Sequence, residues 1–218
     1  MTECNVDRLR DVSAARRSPR GDERKRDPER TRERILEAAL VEFGEHGYAG
    51  TRISAIASRA GVNQQLISYY FDGKEGLYRE LSARWQALSA ALNQPDMPIY
   101  EVVGNFLQAS VDHRQWARLL AWQGLSGNDS DDDAETDAYF HAIVEDLRRR
   151  QLNGELAEDL DPGYVLLALF AAAFAPTAIP QIVRRLTGKP ADSPEFLSAY
   201  AEQLRRIVAH LAGNSKAD

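Results

Sequence analysis

The sequence has little of what would mark several common classes. Its 218 residues contain one cysteine, Cys4. An intrachain disulfide framework and a cysteine zinc cluster are therefore excluded, and a reducing cytoplasm fits best. No apolar run is long enough to span a bilayer comfortably. The longest, Tyr164 to Ile179, is interrupted by Pro176, is followed at once by Pro180, and reads as a buried helix. The opening stretch is charged throughout and has no apolar core of a signal peptide. No stretch alternates with period two, so no sheet is expected. The four histidines, His46, His113, His141 and His210, show no metal spacing. Asp129, Asp131 and Asp133 imitate a calcium loop, but Ala134 stands where the turn needs Gly and Phe140 where a bidentate Glu is required. Gly73-Lys74 lacks the upstream glycine and the following hydroxyl of a phosphate loop. No nucleophile–base set is visible, and the sequence calls for no cofactor and no catalysis.

Net charge is −6, yet it is uneven. Residues 1–80 carry 15 Lys/Arg against 14 Asp/Glu, and residues 81–218 carry 12 against 19. The front of the chain is the part least repelled by a phosphate backbone. Residues 1–27 are rich in Arg, Asp and Ser and poor in large apolar groups, and read as a flexible arm.

What is present is helical periodicity. A first helix is expected from the Asp27-Pro28 start, with Ile35, Leu36, Ala39, Leu40 and Phe43 on one face and a stop at Gly47. A second follows Thr51 as cap and carries Ile53, Ile56, Ala57 and Ala60. A third runs from Asn63 to about Tyr70. Asp72 and Glu75 suggest a capping box opening a fourth, with Leu77, Leu81, Trp85 and Leu88. Further helices are expected over 99–125, over 134–152 after the polar break 127–133, from the Asp161-Pro162 start to Gly188, and from the Ser193-Pro194 start to Gly213.

Residues 53–72 carry the strongest signal. Two helices meeting steeply need a small residue at the crossing, here Ala57. They need a turn residue free to take positive φ, here Gly61. Ile56, Ala60, Val62, Ile67 and Tyr70 lock the second helix onto the first. The lock turns Asn63, Gln64, Gln65, Ser68 and Tyr69 outward, an uncharged row of amides and hydroxyls suited to base edges in a major groove. Asn63 is equally suited to cap its helix. Thr51, Arg52 and Lys74 flank this face and are candidates to hold phosphates.

The segments Thr31 to Ala39, Phe43 to Thr51, Ile56-Ala57, Ala60-Gly61-Val62 and Tyr69 to Leu77 together resemble the DNA-binding domain of TetR-family transcriptional regulators, over about residues 28–80. The resemblance implies an all-α fold: a three-helix helix-turn-helix head over 28–80, a helical ligand-sensing and dimerisation domain over 81–213, and a tail over 214–218. It implies that Lys74 contacts phosphate. Two positions depart from the common pattern. Arg52 replaces a frequent second Thr, and the family's frequent phosphate-binding tyrosine falls on Ser68, leaving Tyr69 beside it to take over. The implied partners are an operator in double-stranded DNA, a second copy of the chain, and a small apolar or amphipathic effector, with no membrane. Effector-pocket candidates are Phe106, His113, Trp116, Trp122, Tyr139, Phe140, His141 and Phe174. Dimer-interface candidates are Leu166, Phe170, Tyr200, Leu204, Ile207 and Leu211. The implied function is a repressor released by its effector. The rival is a helical adaptor that kept the fold without reading an operator.

Overall fold

The computed structural model describes residues 21–126 and 134–211. The polar break at 127–133, the tail at 214–218 and residues 1–20 of the arm lie outside the described residues. Ten helices and no strand are found among the described residues: α1 (Gly21–Gly50), α2 (Ile53–Ala60), α3 (Gln64–Phe71), α4 (Gly73–Leu92), α5 (Ile99–Asp112), α6 (Arg114–Ser126), α7 (Ala134–Leu152), α8 (Pro162–Ala178), α9 (Pro180–Thr187) and α10 (Pro194–Leu211).

The boundaries depart from expectation in four places. First, α1 begins at Gly21, with Pro28 inside it, so the last seven residues of the arm continue the helix. The stretch before Pro28 is rich in Glu, Arg and Lys, which favour helix. Gly47 does interrupt α1, at φ 70 and ψ 168. Second, Asp72 is no capping-box residue. Its backbone is left-handed, φ 56, it ends α3, and its carboxylate makes no cap bond to α4. Glu75 pairs instead with Arg79 at 3.0 Å.

Third, the segment 99–125 is two helices separated at His113, whose φ −106 and ψ 42 leave the helical region. No Gly or Pro marks the break. Packing decides it, because α6 turns to dock along α1. At that crossing a Cβ on Gly44 would lie 2.4 Å from Gln115 Oε1 and 2.8 Å from the Gln115 carbonyl oxygen, so only Gly fits. Fourth, the helix expected to reach Gly188 breaks at Ile179, and α8 and α9 meet at 92°. Pro180 bars its predecessor from the helical region and then serves as the first residue of α9. The proline starts are otherwise as read. Asp161 Oδ1 accepts from the backbone N–H of Gly163 (2.8 Å) and Tyr164 (3.2 Å), and Ser193 Oγ accepts from Phe196 N–H.

Two main cores result. The head core joins α1, α2, α3 and α4 through Ile35, Phe43, Ile56, Ala57, Ile67, Phe71 and Leu77, and it includes Trp116 and Leu119 from α6. The second core gathers Ile99, Val103, Leu107, Leu147, Leu204 and Val208 from α5, α7 and α10, flanked by Leu166 and Leu169 of α8. Helix α6 belongs to the first core while its other side faces the second half of the molecule. No single described helix is long and apolar enough to cross a membrane; α8 and α9 meet that test only as a sharply bent pair.

Candidate nucleic-acid interface and effector cavity

The turn between α2 and α3 is built on Gly61, at φ 63 and ψ 41, whose N–H caps α2. An Arg34 amino group donates to the Gly61 carbonyl at 3.3 Å and to Ala60 O, tying α1 to the turn. Arg59 donates to Glu42 Oε1 at 2.6 Å and Glu45 Oε2 at 2.9 Å, bracing α2 against α1. With the C-terminal end of α2 held by both contacts, Ile67 and Phe71 bury α3's inner face. Its outer face carries Gln64, Gln65, Ser68 and Tyr69, all exposed, with Tyr69 at 80 %. Tyr70, expected in the lock, is half-buried and meets the Tyr69 ring edge-on at 5.1 Å.

Three of the DNA-contact candidates hold structural positions. Asn63 caps α3, its Oδ1 accepting from the Gln65 backbone N–H at 3.0 Å. Of its two suggested roles, the cap is the one the geometry realises. Thr51 is 4 % exposed and shares its hydroxyl hydrogen between Glu42 O (2.9 Å) and Gly47 O (2.8 Å). A buried hydroxyl engaged in this way is not presented to a phosphate, and the cap position of α2 belongs to Arg52. Thr51 closes the α1–α2 junction instead. Lys74 Nζ donates to Thr51 O at 2.9 Å and to Ala49 O at 3.5 Å, and lies 4.4 Å from the centre of the Tyr48 ring. Burial pushes the Lys74 ammonium below the usual lysine range. Arg52 is exposed, and no hydrogen bond or ion pair is described for it. Leu66, which the sequence did not single out, is exposed between Gln65 and Ser68. Its offset from the buried Ile67 was the available signal.

Behind the head lies a cavity of about 830 Å3 between α4, α5, α6, α7 and α8. That is within the usual range for small-molecule sites, roughly 300–1,000 Å3. Phe106, Trp116, Tyr139, Phe140 and Phe174 line it as expected. Three candidates do not. His113 meets Trp85 edge-on at 6.3 Å. Trp122 packs outward on Gly47, which would bring a Cβ there to 3.3 Å. His141 is exposed, with Nδ1 2.7 Å from the Asp137 carbonyl. Trp122 and His141 sit on helices that border the cavity but on a different face, and His113 sits at the break between α5 and α6, a distinction that helix register alone did not reveal. Trp85 and Phe170 complete the wall. Trp85 stacks near Trp116 at 5.8 Å, and Phe170 stacks on Phe174 at 4.3 Å.

Polar groups interrupt the apolar wall of the cavity. Ser89 Oγ and the Tyr139 hydroxyl form a short hydrogen bond linking α4 to α7. Burial raises the Tyr139 phenol above its usual range, against a smaller opposing effect of that bond. Gln123 Nε2 donates to the Tyr78 hydroxyl at 2.8 Å. Ser82 Oγ and Trp116 Nε1 are buried, and among the described residues neither has a hydrogen-bond partner. Arg150, 2 % exposed, sits at one end. It donates to Asp146 (2.8 Å), Glu155 (3.2 Å), Asn93 (3.1 Å) and the carbonyls of Met97 (2.5 Å) and Gln94 (3.0 Å). For Asp146, burial alone would raise the carboxyl, but hydrogen bonds from Arg150, Arg149 and Asn93 outweigh it and hold it below the ordinary range.

The interface candidates divide. Leu204 is a core residue, Tyr200 turns inward to donate its hydroxyl to Ala172 O at 3.0 Å, Leu166 packs on the second core, and Phe170 lines the cavity. The candidates lie on α8 and α10, and four of the six belong to the inner stripe of those helices. Ile207 is 52 % exposed and Leu211 half-buried. On α8, Tyr164 (76 %) and Leu167 (63 %) are the large apolar side chains left open, with Ala168 and Ala171 on the same face.

Comparison with known proteins agrees with this arrangement. Residues 35–81 match the profile described as bacterial regulatory proteins, tetR family, and residues 96–210 match the tetracyclin repressor-like C-terminal domain. The chain is 33 % identical over 188 residues to the HTH-type transcriptional repressor SCO4008 of Streptomyces coelicolor, covering 84 % of this chain and 97 % of that one. It is 30 % identical over 190 residues to the HTH-type transcriptional regulator RutR of Escherichia coli strain K12, covering 80 % and 86 %. Among solved structures, the putative transcriptional regulator SCO4942 of Streptomyces coelicolor superposes with a TM-score of 0.67 at 26 % identity, covering 84 % of this chain and 98 % of that one. Head, cavity and similarity lead to one conclusion: the chain belongs to the TetR family and is a DNA-binding transcriptional regulator.

Proposed function

We propose that the chain acts as a homodimeric repressor in the cytoplasm, released from its operator when a small apolar or amphipathic effector enters the cavity. The observation that carries the DNA-reading part is the exposed row Gln64, Gln65, Ser68 and Tyr69 on a helix whose opposite face is locked in the head core. The two glutamines read base edges, Ser68 and Tyr69 reach edges or phosphates, and Leu66 offers an apolar surface to a thymine methyl group. Arg52 and the remaining N–H of Lys74 hold the backbone. Pairing two such heads requires a two-fold interface. The open α8 face around Tyr164, Leu167 and Ala171, together with Ile207 on α10, supplies an apolar surface for it. Repression follows the character of the relative SCO4008.

The test is fluorescence anisotropy with DNA from upstream of the chain's own gene, beside a scrambled duplex, across a salt series. Sequence-dependent, salt-sensitive binding supports the reading. A Gln64→Ala, Gln65→Ala double variant then loses preference for the operator while its binding to random DNA is unchanged. Equal loss on both duplexes would remove the base-reading role. Equal or absent binding to both, followed by failure to enrich any sequence from a random library, would leave the adaptor reading.

A further inference from the structure

We propose that the cavity takes a planar aromatic cation and rejects anions. This rests on the reading of the cavity as the effector site and adds the charge class of the effector.

The first observation is Arg150, the cation among the described lining residues. A guanidinium has five N–H donors. Arg150 Nε is engaged by Asp146, one amino group by Met97 O and Glu155, the other by Asn93 and Gln94 O. All five donors are directed to protein acceptors, so a ligand carboxylate or phosphate finds no charged donor there. Bringing an anion out of water without such a partner carries a large desolvation cost.

The second observation is the balance of charge. Asp146 is matched by Arg150 and Arg149. Asp137 also lines the cavity, and no ion pair or hydrogen bond is described for its carboxylate. The described wall therefore carries one net negative charge, on an exposed carboxylate of α7. The third observation is the wall itself. Trp85 and Trp116 form one aromatic bank and Phe140, Phe170 and Phe174 another, with the members of each bank 4.3 to 6.4 Å from a neighbour. Ring faces attract a cation, more so where water is excluded. They also stack on a flat ligand. Shape and charge thus favour the same molecule: flat, aromatic and positive, with its charged edge toward Asp137.

The experiment uses the full-length protein without DNA and three probes that share one three-ring frame: 9-aminoacridinium, acridine and acridine-9-carboxylate. Binding is measured by titration calorimetry at neutral pH. The cation is expected to bind roughly tenfold tighter than the neutral ring, and the anion about tenfold weaker than the neutral ring or not at all. Asp137→Asn should shrink the cation-to-neutral ratio, and Asp137→Lys should abolish it, with acridine itself unaffected. Phe170→Ala, checked for folding by its melting curve, should weaken the cation and the neutral ring. The proposal is overturned by an anion that binds as well as the cation. It is equally overturned by a ratio indifferent to Asp137, by binding indifferent to Phe170, or by no binding of any probe. Because no DNA is present, each of these results leaves operator recognition standing, and a failed operator search leaves the charge preference standing.

Discussion

The head and the C-terminal half use similar residues to opposite ends. In the head, the core side chains are enclosed, and the outer face of α3 carries mostly polar groups, with Leu66 among them. In the C-terminal half, a cavity lies between the helices, and large apolar groups are left open on the outside, among them Leu125, Leu152, Tyr164, Leu167 and Leu186. The buried ionic groups differ as well. Glu42 in the head is braced by Arg59, whose side chain is partly exposed, whereas Arg150 is sealed with five protein acceptors. A reader of DNA needs a rigid platform for a few exposed side chains. A sensor needs a cavity kept open by a frame that does not collapse into it. Arg150 is part of that frame, since it ties the α4–α5 connection to α7 and to the loop before α8.

This contrast can be broken most severely at Arg150. Arg150→Met leaves Asp146 with only Arg149 and Asn93, and removes the donor from Glu155 and from the carbonyls of Met97 and Gln94. It should destabilise the protein by about 3–5 kcal/mol, read from urea unfolding. A loss below about 1 kcal/mol would mean that the frame does not depend on it. Next comes the contact that joins the halves. Gly44→Ala forces a Cβ against Gln115 and should cost about 1–3 kcal/mol. Because α6 also lines the cavity, the variant should change operator affinity as well as stability. An unchanged melting curve would show that α1 and α6 can separate without strain. Within the head, Thr51→Val removes a buried hydroxyl donor from two carbonyls and should cost about 1–3 kcal/mol, at the lower end because Gly47 O still accepts from the Thr51 N–H at 3.2 Å. Its effect on the salt slope of DNA binding should be nil, as a buried hydroxyl holds no phosphate. A flattened slope would return Thr51 to the phosphate contacts.

The smallest effect is on pH. The folded Asp146 carboxyl is held below its unfolded range, so its pairing contributes stability that is present above the unfolded pKa, about 3.9. That contribution is lost as pH falls through the lower folded value. Asp146→Asn should therefore be less stable than the parent near neutrality, with the gap closing in acid. A gap constant with pH would assign the cost of the substitution to packing alone.

The head was legible because its signals are local. Ala57, Gly61 and Ile67 lie within one turn-and-helix window, so their spacing determines which side of α3 is outward, and the exposed row followed. Asp161 and Ser193 were legible for the same reason, since a cap acts on N–H groups two or three residues away. Phe106, Trp116, Tyr139, Phe140 and Phe174 could be read as pocket candidates from their chemistry. His113, Trp122 and His141 share that chemistry but face elsewhere, and nothing local distinguishes them.

The α8 stripe is the clearest failure of periodicity. A helix that is apolar nearly all round has no marked face, and the chain's own core took Leu166 and Phe170 while leaving Leu167 and Tyr164 open. The break at His113 has no Gly or Pro to announce it and exists because α6 must lie against Gly44.

By itself the sequence determined the helical class, the helix-turn-helix and its outward residues, and the proline-capped starts, because each rests on backbone geometry and on neighbours a few positions apart. Only the tertiary structure decided that Thr51 is buried, that Arg150 is fully engaged, that Gly44 meets Gln115, and which aromatic rings enclose the cavity. Those outcomes depend on groups that lie distant in the chain, and they are set by which surfaces pack together and exclude water.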